Sequence, residues 1–222
     1  MAALQNLRRA AHPEKIDVAN VRWKVFADAR LIQRARKLSF DDAFQLSARA
    51  VLSGLNDKVA YQVIYSLGTP LRVLEPPLRE ALDKQSGKTT IGMPDALDLL
   101  RKYLAVVAYR EIQPLYTMVY HQDDARRYIV QRDIAVKTPD GATVCVLVVR
   151  PRKGLRRLPS LLNFTIYHDP VVKMDDARRT AANGYAGVEG FTRGKACSPD
   201  KAIPIEHDGE DAASVIEWIS KQ

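Results

Sequence analysis

The chain has 222 residues, 46% of them apolar and 27% charged, with a formal net charge of +8. That balance excludes a disordered polymer, and the longest uncharged apolar run, Tyr103 to Tyr109, is far too short to cross a bilayer. The length holds one large domain or two modest ones, each with a workable core.

Met1 to Lys15 carries charges but no apolar core of signal-peptide length, so a cytoplasmic location and no membrane partner are expected. One basic cluster is spread over Arg30, Arg34, Arg36 and Lys37, and the densest is Arg150 to Arg157. Pro151 and Gly154 mark that cluster as a turn, and no aromatic residue is interleaved for base stacking. It reads as a solvated loop, which disfavours a nucleic-acid partner.

In chain order, Ser39-Phe40-Asp41-Asp42 is an N-cap signature that opens a helix through Phe44, Ala48, Val51, Leu52 and Leu55, closed by Asn56. Tyr61 to Leu67 and Leu78 to Leu82 are shorter helical segments, separated by Gly68-Thr69-Pro70 and by the pair Pro76-Pro77. Pro94 and Asp95 start a longer helix carrying Leu97, Leu100, Tyr103, Leu104 and Val107, which Pro114 is expected to stop.

Near residue 122 the pattern shifts, giving a mostly α-helical segment over 1–122 and a second domain over 123–222. Tyr128 to Val136 alternates as a strand, Thr138-Pro139-Asp140-Gly141 is a turn, and Thr143 to Val149 is a β-branched run, which together make a hairpin. Leu161 to Tyr167 reads as a buried strand, Asp175 to Asn183 as a helix closed by Gly184, and Tyr185 to Val188 as another strand. Asp208 is expected to cap a final helix that turns Ala212, Val215, Ile216 and Ile219 inward. The fold class is α/β, with strand, helix and strand in sequence implying parallel pairing.

Within the second domain the phrases Asp133-Ile134-Ala135-Val136-Lys137-Thr138-Pro139-Asp140-Gly141, Thr165-Ile166-Tyr167, Asn183-Gly184-Tyr185-Ala186, Arg193-Gly194 with Ser198, and Asp208-Gly209 with Asp211 follow one another in order. With Ile216-Glu217-Trp218-Ile219 at the close, Tyr128 to Gln222 resembles the opening of the catalytic domain of CocE/NonD-type serine hydrolases. That group is related to the Xaa-Pro dipeptidyl-peptidases (S15) and cocaine esterase. Residues 1–120 carry no such resemblance. Ile166 stands where the family usually has proline, and Phe191 where it usually has an acid.

The resemblance implies ester or amide hydrolysis through an acyl-enzyme, without metal or organic cofactor. It also implies that Gln222 falls before the nucleophile elbow, so the α/β-hydrolase domain is expected to be incomplete and inactive alone. No serine here lies in Gly-x-Ser-x-Gly, and His12, His121, His168 and His207 do not follow a nucleophile as the hydrolase order requires. Nucleophile, acid and base are therefore absent. The one catalytic residue implied is Tyr167, whose phenol the family aims at the oxyanion. A small acyl ester or peptide is the expected substrate once the domain is completed.

Three further groups are weighed for chemistry. His168-Asp169 are neighbours that point apart at a strand end, and the run Glu206 to Asp211 fits a helix amino terminus better than a metal. Cys145, in a strand-like run, and Cys197, in a loop, do not make a disulfide framework and are expected to be free thiols. Two other readings stand beside the hydrolase. One is a non-catalytic binding or structural module of a split or truncated gene, with a partner chain covering the open sheet edge. The other is a basic nucleic-acid-associated protein.

Overall fold

A computed structural model describes residues 17–154, 157–203 and 205–222. The segment Met1 to Lys15, His12, and Leu155 and Arg156 of the basic cluster lie outside the described residues. The chain divides into two compact units, one ending at Asp123 and the other running from Asp124 to Gln222.

Among the described residues the first unit is helical: α1 (Val18–Arg36), α2 (Phe40–Ser53), α3 (Asp57–Leu67), α4 (Leu71–Asp83) and most of α5 (Met93–Arg127). Asp17 caps α1 by accepting the Ala19 N–H, and Ser39 caps α2, its hydroxyl accepting the Asp42 N–H at 3.1 Å. Asn56 does not close α2. Instead, its side-chain oxygen accepts the Val59 N–H at 2.9 Å and opens α3, because a short amide satisfies an orphan donor better at an N-cap than at a helix end.

The prolines depart further from expectation. Pro76 and Pro77 lie inside α4, and Pro114 lies inside α5. Each forgoes a ladder hydrogen bond, and around Pro114 core packing offsets the loss. Ile112, Leu115 and Val119 on either side of Pro114 are buried with Val25, Phe44, Leu52, Val63 and Ile64 in one core. The Tyr109 hydroxyl enters that core and donates to the Ser66 carbonyl at 2.6 Å, satisfying a polar group that burial would otherwise make costly.

The second unit is a mixed sheet with a helix on each face. β1 (Tyr128–Lys137) and β2 (Thr143–Pro151) form the expected antiparallel hairpin across the Thr138–Ala142 turn. β3 (Ser160–Thr165), α6 (Pro170–Ala182), β4 (Ala186–Phe191) and α7 (Asp208–Ser220) follow. The strand order is β1-β2-β4-β3, with β3 and β4 parallel and the other two pairs antiparallel.

Side-chain parity assigns the faces. Val144, Val146, Val148 and Val188 point one way and pack with Val215, Trp218 and Ile219 of α7. Gly187, Glu189 and Phe191 point the other way, where α6 lies so close that a Cβ on Gly187 would sit 2.4 Å from the Ala177 carbonyl oxygen. Arg178 of α6, 2% exposed, ties the helix to the start of the unit through Asp124 at 2.6 Å. No helix among the described residues is long and apolar enough to cross a membrane.

Candidate functional site

Tyr167 follows β3 at the sheet end where the parallel strands finish, the end at which open α/β sheets place their ligands. Its N–H donates to the Thr165 hydroxyl at 3.1 Å, which fixes the backbone, while the side chain is 74% exposed. Among the described residues its phenol has no hydrogen-bond partner. Asp169 is occupied two residues on: its carboxylate accepts the Val171 and Val172 N–H groups at 2.9 and 3.1 Å and caps α6. The His168 ring packs edge-on against Phe191, 4.8 Å between centroids. The neighbours His168 and Asp169 therefore serve different partners, one a ring and the other a helix end.

A second constellation lies around Arg193, just past β4. Its guanidinium donates to both Asp211 oxygens, Nε at 3.0 Å and Nη2 at 2.6 Å, and through Nη1 to Asp140 at 2.8 Å. Asp211 is 0% exposed, so this bidentate fork carries a charge fully out of water and is strengthened by it. Thr138 and Arg193 hold the Asp140 carboxyl well below the usual carboxylate range, and Asp211 raises the Arg193 guanidinium further.

Ser198 lies in the loop after Arg193, accepting the Gly194 N–H at 2.7 Å and donating to the Thr143 carbonyl at 2.6 Å. Asp208 is the first residue of α7 and not its N-cap, which is His207. Its two carboxylate oxygens accept from the Thr192 hydroxyl at 2.9 Å and the Ile205 N–H at 3.2 Å. Asp140 and Asp211 are thus bonded to Arg193, Asp208 to Thr192 and Ile205, and Ser198 to Gly194, Thr143 and Asp200, which engages the Ser198 hydroxyl in holding the loop.

The thiol expectation is corrected. Cys145 and Cys197 form a disulfide, with Cα atoms 5.3 Å apart. The sequence separation of 52 hid the pairing, because spacing says nothing of two positions brought together by a hairpin and a return loop. Asp133 of β1 joins them: its carboxylate and the two sulfurs lie within 4.8 Å of one another. Asp133 occupies the irregular register between Gln131 and Ile134 and has a φ of 53°, a left-handed conformation that short acids tolerate best.

Glu189 went unnoticed in the sequence. It is buried on β4, accepts from the Asn163 amide at 2.7 Å, and lies 3.6 Å from the Lys173 ammonium. Burial pushes its carboxyl up, against the pull of Asn163 and Lys173. A hollow of about 600 Å³ bordered by Arg150, Arg157, Ser160 and Trp218 lies at the amino-terminal ends of β3 and β4, away from Tyr167.

The span that begins at Asp140 and contains Tyr167, Arg193 and Asp211 is also the span that matches a known family model, described as X-Pro dipeptidyl-peptidase (S15 family). Residues 140–222 match the S15 family. The resemblance read from Asp140-Gly141, Arg193-Gly194 and Asp211 is shown over that stretch, which is under half of the chain. Among solved structures, a CocE/NonD family hydrolase from Staphylococcus aureus is 22% identical, with a TM-score of 0.35, over 43% of this chain and 21% of its own. The chain therefore spans about a fifth of that hydrolase's length. No curated protein matches. Within the S15-matched stretch, the phrases Asp140-Gly141, Arg193-Gly194 and Asp208-Gly209 with Asp211 meet through the ion pairs of Arg193 with Asp140 and Asp211.

Proposed function

We propose that the second unit is the amino-terminal portion of a serine acyl hydrolase of the S15 and CocE/NonD type, which cleaves an ester or amide through an acyl-enzyme once the strands that carry its nucleophile are joined to it. The observation that carries this reading is the S15 match over 140–222 together with a free, exposed phenol at the carboxyl end of β3. The strand order adds support, since β3 is an outer strand of the sheet and a further parallel strand can pair with it.

In this reading the Tyr167 O–H donates to the oxyanion that forms when a serine attacks the acyl carbon, beside a backbone N–H contributed by the nucleophile turn. A single donor of this kind lowers the barrier by about 3 kcal/mol, because it is already aimed at the charge that develops. The Arg193 ion pairs join the Thr138–Ala142 turn to α7 and have a structural role in this reading.

Two measurements test the reading. The chain alone should not label with a fluorophosphonate probe or turn over activated esters. Joined to the remaining strands of an S15-type relative, it should do both, and Tyr167→Phe should then lower kcat roughly a hundredfold with little change in unfolding midpoint. Labelling of a serine in the chain alone would overturn the placement of the nucleophile, and unchanged turnover in Tyr167→Phe would overturn the role of the phenol.

A further inference from the structure

Asp133, Cys145 and Cys197 come from three separate places, the irregular stretch of β1, the start of β2 and the loop after β4. Two of the three are reached through left-handed backbone, at Asp133 itself with φ 53° and at Ala196 with φ 52°, the residue before Cys197. Non-glycine residues in that region cost on the order of 1 kcal/mol each and persist where the surroundings require them. The Asp133 carboxylate makes no hydrogen bond or ion pair among the described residues, whereas Asp140 and Asp200 of the same unit are both bonded. An exposed acid that is strained, unpartnered and turned toward two sulfurs has the disposition of a ligand.

We infer that, with the disulfide reduced, Cys145, Cys197 and Asp133 form a binding site for a thiophilic divalent cation of the zinc type. Two thiolates and a carboxylate supply three positions of a tetrahedron, and the exposure of Asp133 leaves the fourth to water. Thiolates select soft or borderline ions over magnesium and calcium, which prefer oxygen. Zinc–sulfur bonds of about 2.3 Å place two ligand sulfurs roughly 3.8 Å apart, a separation that side-chain rotation provides when the Cα atoms stand as close as 5.3 Å.

The electrons and protons balance in two steps. A dithiol reductant passes two electrons and two protons to the S–S bond and becomes a disulfide itself, leaving two protein thiols. The cation then displaces one proton from each thiol and keeps its own charge, since no metal redox change is involved. The same two sulfurs thus hold the loop after β4 against β2 in either state, as a covalent bond in an oxidising compartment and as a metal clip in a reducing one. A pair of cysteines in a reducing compartment is more often a metal or catalytic pair than a disulfide.

The test uses the full chain, oxidised and reduced with a phosphine, titrated with cobalt(II) and then with zinc(II). The reduced chain should take up one cobalt with a sulfur-to-cobalt charge-transfer band, which zinc abolishes, and the oxidised chain should show neither. Asp133→Asn should keep the band and bind roughly tenfold more weakly. Absence of the band in the reduced chain overturns the site, and equal affinity in Asp133→Asn removes the carboxylate from it. Both readouts are independent of any hydrolase activity. The comparison of one protein in two redox states also needs no cysteine variant that could fail to fold.

Discussion

Replacing Asp211 by asparagine tests the Arg193 network most directly. The substitution keeps shape and removes one charge, so the guanidinium loses its bidentate carboxylate while remaining charged and almost fully enclosed. Breaking a buried ion pair on one side costs about 3–5 kcal/mol. The lower end applies here, about 3 kcal/mol, because Arg193 keeps Asp140, whose exposed carboxylate still accepts from Nη1. Trp218 of α7 reports on this unit, and Trp23→Phe makes it the sole tryptophan. With a urea dependence of about 1–1.5 kcal/mol per molar for a unit of this size, the midpoint followed by Trp218 fluorescence should fall by about 2–3 M, or the unit should be unfolded without urea. The double variant Arg193→Met with Asp211→Leu should recover most of the loss, since no uncompensated charge is left inside. A shift below about 0.5 M in Asp211→Asn, or a double variant as unstable as the single one, would refute the reasoning.

Glu189 gives a pH signature of definite sign. Its folded carboxyl titrates above the ordinary 4.5 because burial outweighs Asn163 and Lys173, so the folded unit holds a proton that the unfolded chain has released. Stability therefore falls as pH rises through that window, and Glu189→Gln should remove this slope in urea midpoints taken between about pH 4 and 7. Asp140 acts in the opposite sense: its lowered carboxyl adds stability that is present above the unfolded value and lost as the medium is acidified below it. Gly187→Ala should push α6 off the sheet, since the obstacle at 2.4 Å is backbone and cannot rotate away. A cost of about 2 kcal/mol should appear as a fall of roughly 10 °C in the melting temperature of this unit, and an unchanged melt would contradict the packing.

The hairpin was legible because its signals are local: alternation in Tyr128 to Val136, turn chemistry in Thr138 to Gly141, and β-branched residues after it. The Ser39 cap was legible for the same reason. Pro114 misled, because a proline stops a helix only when packing does not hold the two halves in line, and Ile112, Leu115 and Val119 do hold them. The site divides along the same boundary. The position of Tyr167 just past β3 could be read from the contiguous phrase Thr165-Ile166-Tyr167. The meeting of Cys145 with Cys197, and of Arg193 with Asp140 and Asp211, depends on strand order, which no single stretch encodes. The residues of the Arg193 network were all visible as parts of a family phrase, yet their common purpose appeared only when their side chains were seen to bond.

That network also has a consequence for synthesis. Asp140 leaves the ribosome first, Arg193 next and Asp211 last, so for the time needed to add the residues between Arg193 and Asp211 the guanidinium has no internal acceptor except a solvent-facing one. The helical unit, made earlier and closed by contacts among its own elements, can complete its core on the emerging chain. The sheet must wait for α7, and a pause in translation ahead of Asp211 would leave its valine face uncovered and its strands open to foreign chains.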